Sequence, residues 1–142
     1  MGTKIEKFKN IIHLLFSHHT EEYYNRTFTI SFRDKEFHIC ARCSGVVSIF
    51  FVAFGYFLFT KLELDSTFSL LLATLLVIPV LIDWGTQKLG YRESKNPIRF
   101  ITGALLGLGI ALLQFTYEHY LITIIVISIY IVIFFIISMR GY

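Results

Sequence analysis

Two thiols three positions apart, Cys40 and Cys43 in His38-Ile39-Cys40-Ala41-Arg42-Cys43-Ser44-Gly45, are the only cysteines of the chain. Thiolate and imidazole are zinc's preferred ligands, and a two-residue gap lets two thiolates grip one tetrahedral ion. His18 and His19 lie upstream and complete a four-ligand zinc set, with iron as the other metal such donors take and His38 as an alternative ligand. The same Cys-x-x-Cys also fits dithiol redox chemistry, or two small buried residues at a helix start.

A second constellation runs from Asp83 to Arg99. Asp83 closes an apolar run, and an ionisable residue at the edge of a bilayer is expensive and by default a functional candidate. Gln87 follows four residues on, hence on the same helical face. Asn96-Pro97 reads as a helix start, with Asn96 as N-cap and Pro97 first in the helix. Arg92 and Arg99 flank that N-terminus and suit a phosphate clamp. Asp83 and Glu93 are then the candidate catalytic acids or bases, and Gln87, Arg92, Asn96 and Arg99 the candidate substrate binders. The alternative is a structural network in which Arg92 or Arg99 only neutralises Asp83 or Glu93. Glu118-His119 reads as part of a solvated turn.

The elements that must carry these residues are membrane spans. Of the 142 residues 55% are hydrophobic and only 16% charged, against about 25% charged in ordinary soluble domains. Four apolar runs, near residues 44–60, 67–84, 98–115 and 120–139, are each about long enough to cross the hydrocarbon core. Lys4 to His19 has the three-four periodicity of an amphipathic helix and enough lysine to lie on a lipid surface. Residues 27–39 are β-rich and suggest a short hairpin leading into Cys40. The first ten residues are charged and precede no early apolar run, so no cleavable signal peptide is expected. The division expected is a cap over residues 1–43 and a four-helix domain over 44–142. Gly103, Gly107 and Ala111 form a small-xxx-small stripe on which another helix can pack closely.

Twelve of the thirteen lysines and arginines fall on one side of such a topology, and Lys61 alone falls on the other. The positive-inside rule then puts both termini, the cap and the 85–97 connector in the cytoplasm of a multi-pass cell-membrane protein. Membrane lipids, not nucleic acid, are the expected partners of these charges. Self-association into a homo-oligomer is compatible with the apolar fourth run.

His18-His19, Arg26, Cys40-x-Arg42-Cys43-Ser44-Gly45 and Asp83-x-x-x-Gln87-x-x-Gly90-x-Arg92-Glu93-Ser94-x-Asn96-x-x-Arg99-x-x-Thr102-Gly103 together resemble a family of small membrane proteins, domain of unknown function 2085. The resemblance covers roughly Phe16 to Gly109. That family often has Cys-His where this chain has His18-His19, and alternation of Cys with His implies a metal ligand. The expectation is therefore an all-α membrane protein with a zinc-binding cap beside an anion-binding pocket for a lipid-linked anionic molecule. Two other readings stand beside it. One is a membrane thiol–quinone oxidoreductase using Cys40 and Cys43. The other is a non-catalytic carrier or assembly subunit with a structural metal.

Overall fold

A computed structural model describes residues 26–32 and 35–140. The expected amphipathic helix at 4–19, with His18 and His19, lies outside the described residues. So do Arg33 and Asp34, between the two strands.

Strand β1 (Thr27–Phe32) pairs antiparallel with β2 (Lys35–Cys40), so that Thr27 faces Cys40 and Thr29 faces His38. Alternating β-branched and aromatic residues favour this extended pair. The His38 ring nitrogen Nδ1 shares a 3.0 Å hydrogen bond with the Thr29 hydroxyl. Phe28 seats the hairpin edge-on against Phe100. The chain turns without a connector from β2 into helix α1 (Ala41–Thr60). Helices α2 (Ser66–Lys88), α3 (Asn96–Leu112) and α4 (Tyr120–Arg140) follow. Two short 3₁₀ turns join α3 to α4. All four helices are long and apolar enough to cross a membrane when the first of these turns is counted with α3.

The helices overrun the apolar stretches at one end. Helix α1 begins at Ala41, so Arg42 and Cys43 are helical, and α2 continues past Asp83 to Lys88. Hydropathy marks where a span stops being apolar. The backbone goes on as helix for as long as its polar side chains find partners, and here Thr86 and Gln87 hydrogen-bond back onto the preceding turn.

Helices α1 and α3 cross at backbone contact. A Cβ on Gly103 would lie 2.2 Å from the Arg42 carbonyl oxygen, one on Gly45 2.2 Å from that of Phe100, and one on Gly107 2.3 Å from that of Val46. Only glycine fits these points, so the small-residue stripe seals this pair, and Gly45 supplies the reciprocal notch. Helix α2 lies on the other side of α3, where Gly109 approaches Ala73. Helix α4 is attached more loosely, through Trp84 against Phe134 and through the Tyr130 hydroxyl, which donates to the Thr74 carbonyl at 3.0 Å. At the opposite end Asp65 caps α2 through the Phe68 N–H at 2.7 Å, and His119 meets Thr67 at 3.1 Å.

Candidate functional site

The start of α1, the end of α2 and the start of α3 meet at one end of the bundle, and polar side chains converge there on Asp83. Its residue is only 2% exposed. The Arg42 guanidinium reaches across from α1 to hydrogen-bond Asp83 Oδ2. Arg92, from the connector, donates to Asp83 Oδ1 at 3.1 Å and through Nε to the Thr86 hydroxyl at 3.2 Å. Gln87 donates Nε2 to Asp83 Oδ2 at 2.9 Å and to the Asp83 carbonyl at 2.7 Å. Its Oε1 accepts from Arg99 Nε at 3.1 Å. The Gln87 amide thus presents its donor end to the carboxylate and its acceptor end to the next guanidinium. The four-residue spacing from Asp83 to Gln87 makes this relay on one helical face.

Three guanidinium groups, Arg42, Arg92 and Arg99, therefore converge beside the buried carboxylate of Asp83, with Arg26 and Glu93 also within electrostatic reach of Arg99. Asp83 is committed to the first two. Arg99 is 4% exposed, and among the described residues it has no carboxylate partner; Gln87, a neutral amide, takes its one hydrogen bond. A buried charge is costly unless paired, and of the three guanidiniums Arg99 is the one without an ion pair among the described residues. Arg42 Nε is a further buried donor without a partner among the described residues.

The remaining sequence candidates divide. Glu93 is exposed, with 75% of its side chain open, and lies 3.7 Å from Arg26. Asn96 is not the cap of α3: the helix already includes it, Lys95 holds the cap position, and Pro97 sits in the first turn. The Asn96 amide is instead spent on tertiary structure, donating to the Thr27 carbonyl at 3.1 Å and tying the hairpin to α3. Arg42 was visible in the sequence only as a neighbour of the thiols. Its clue was place: Arg42 lies just before the first apolar run and Asp83 at the close of the second, so both fall at the same end of the bundle, where each can neutralise the other.

Cys40 precedes α1 and is buried; Cys43 is in the first turn. Both are free thiols. Among the described residues no cluster of three or more His, Cys, Asp or Glu side chains forms. His38 faces Thr29 and does not join the thiols in such a cluster. The described residues thus bring together two of the four expected metal ligands. The thiol turn and the arginine cluster share one framework, since the Arg42 carbonyl packs on Gly103 one turn beyond Arg99.

Residues 22–113 match the family model described as "Predicted membrane protein (DUF2085)". The match takes in the hairpin, the thiol turn, the arginine cluster and three of the helices. This chain belongs to that family. A relative from Methanothermobacter thermautotrophicus, described as an uncharacterized protein, is 46% identical over 93 residues, which are 64% of this chain and 81% of the relative. Another uncharacterized protein, from Methanocaldococcus jannaschii, is 36% identical over 73 residues, 49% of this chain and 45% of the relative. The chain thus matches less than half the length of the second. No solved structure matches the chain. Family membership and the four apolar helices together make this a multi-pass membrane protein.

Proposed function

We propose that this membrane protein binds a phosphate-class anion, carried on a lipid, at the Arg42–Arg92–Arg99 cluster on the cytoplasmic side. One observation carries the reading: Arg99 is buried, charged and paired with no carboxylate among the described residues. Phosphate oxygens accept the forked N–H pairs of guanidinium groups better than any neutral ligand does. Asp83 then acts as the post that holds Arg42 and Arg92 apart and aimed, because both of its oxygens are already occupied. Glu93, the more open carboxylate at the site, is the group with room to accept a proton from a bound hydroxyl or water. Cys40 and Cys43 hold zinc with His18 and His19, and the metal fastens the N-terminal cap over the cluster.

Titration of the purified protein in neutral detergent with inorganic pyrophosphate tests the anion site. Wild type should bind, and Arg99→Gln should weaken binding by about tenfold, the worth of one lost charge-assisted hydrogen bond. Equal affinity in both proteins overturns the reading. Elemental analysis tests the metal: one zinc per wild-type chain and none in Cys40→Ser is expected, and metal-free wild type refutes it.

Two free thiols at the start of one helix, Cys40 at its cap position and Cys43 in its first turn, support a second reading. Here Cys40 and Cys43 close a disulfide and pass two electrons and two protons to a membrane quinone, which becomes the quinol. Thiol trapping in cells separates the two readings, since a redox pair is found partly oxidised and a zinc pair is not. In a third reading the zinc is only a staple in a carrier or assembly subunit. Loss of a cellular phenotype in Arg99→Gln, with metal content intact, counts against that one.

A further inference from the structure

Helices α2, α3 and α4 enclose a cleft of about 230 Å³, half open on one side. Leu70, Val77, Leu106, Ile110, Ile127 and Phe134 form its walls. Three hydroxyls also stand in the lining, and each is spent on a helix carbonyl. Thr74 donates to Leu70 at 2.8 Å, Thr123 to His119 at 3.1 Å and Tyr130 to Thr74 at 3.0 Å. The cleft therefore offers carbon and almost nothing else to an occupant. Dry cavities of about 150 Å³ with such walls already take up a benzene ring, so this space admits a stretch of hydrocarbon chain.

Its position relative to the arginine cluster decides which hydrocarbon. Leu106 and Ile110 follow Arg99 by seven and eleven residues on α3, two and three helical turns along nearly the same face. At 1.5 Å per residue they lie about 10 and 16 Å deeper than Arg99. One leaflet of hydrocarbon is about 15 Å thick. The Arg99 guanidinium and the cleft are thus stacked as the head and chain of one membrane amphiphile are. A chain gains little by leaving bulk lipid for an apolar wall, because the two are equally apolar. Occupancy of the cleft must then be set by the head.

We infer that the cleft between α2, α3 and α4 seats one hydrocarbon chain of a net-anionic lipid with a phosphomonoester head, and that this head rests on Arg99. This rests on the anion-site reading above and adds the place of the chain. The test uses the whole protein in phosphatidylcholine vesicles containing a small fraction of phosphatidic acid with a photoactivatable diazirine in mid-chain. Mass spectrometry of the labelled peptides should find Leu106 and Ile110 labelled about tenfold more than Ile129 and Val132, on the exposed face of α4. The excess should disappear in Arg99→Gln and when the probe is a diazirine phosphatidylcholine. Ile127→Trp, which fills the cleft, should abolish the excess while leaving pyrophosphate affinity unchanged. Even labelling of both faces, alongside intact pyrophosphate binding, overturns the chain site and leaves the anion site standing. An excess that survives Arg99→Gln, or that phosphatidylcholine matches, overturns it as well. Absence of both pyrophosphate binding and the excess overturns both readings.

Discussion

Removal of Asp83 should be the most damaging single change at the arginine cluster. In Asp83→Ala the Arg42 and Arg92 guanidiniums lose their common partner, and Arg42 is largely buried, with 18% of its side chain exposed. Deleting one partner of a buried ion pair costs about 3–5 kcal/mol, because the other charge is left without compensation. Arg42→Ala should cost less, about 2 kcal/mol, since Asp83 keeps Arg92 and Gln87 and only one charge-assisted bond is lost. Arg92 is 45% exposed, so water screens its pair, and Arg92→Ala should cost no more than about 1 kcal/mol. The order Asp83, Arg42, Arg92 is the sharp expectation. The assay is reversible unfolding of each purified variant in mixed micelles, with the Asp83→Ala/Arg42→Ala double variant closing a cycle. The double variant should be less damaged than the sum of its parts by roughly 1–3 kcal/mol, the usual coupling of a contacting pair. An Arg92→Ala cost equal to that of Asp83→Ala, or additive losses in the cycle, would refute the argument that Asp83 is the post on which the cluster is built.

Further expectations follow from the packing and the topology. Gly103→Ala and Gly45→Ala should each destabilise by 2 kcal/mol or more, on the order of an overpacked core, because the new methyl meets a carbonyl oxygen at 2.2 Å. Gly55→Ala, with nothing within 4 Å, should be neutral or stabilising by up to about 1 kcal/mol through helix propensity alone. Unfolding in the same micelles compares them, and equal losses at all three sites would remove the close α1–α3 crossing from the account. For orientation, single cysteines at Tyr91 and at Tyr117, each in a Cys40→Ser/Cys43→Ser background, should label from opposite sides of intact cells. Tyr117 should react with an impermeant maleimide and Tyr91 only after the membrane is opened; the reverse pattern inverts the proposed topology.

Much of this protein was legible in its residues because a bilayer imposes simple rules. Four runs of apolar side chains had to become four helices, since only a helix satisfies its own backbone in lipid. The glycine stripe on α3 announced a close neighbour, and the relation of Gln87 to Asp83 followed from helical spacing alone. The sequence could not say which helix fills the stripe or which arginine meets Asp83. Those choices join residues some forty to sixty positions apart, and several partners would have satisfied them locally. Tertiary structure made them: the α1–α3 crossing carries Arg42 to Asp83, which leaves Arg99 to Gln87 and turns Asn96 from an expected cap into a tether for the hairpin. The Cys40–Cys43 turn therefore stands on the same crossing as the arginines. The two letters left its chemistry open between metal, redox and packing, and its place beside the arginine cluster was a matter of packing.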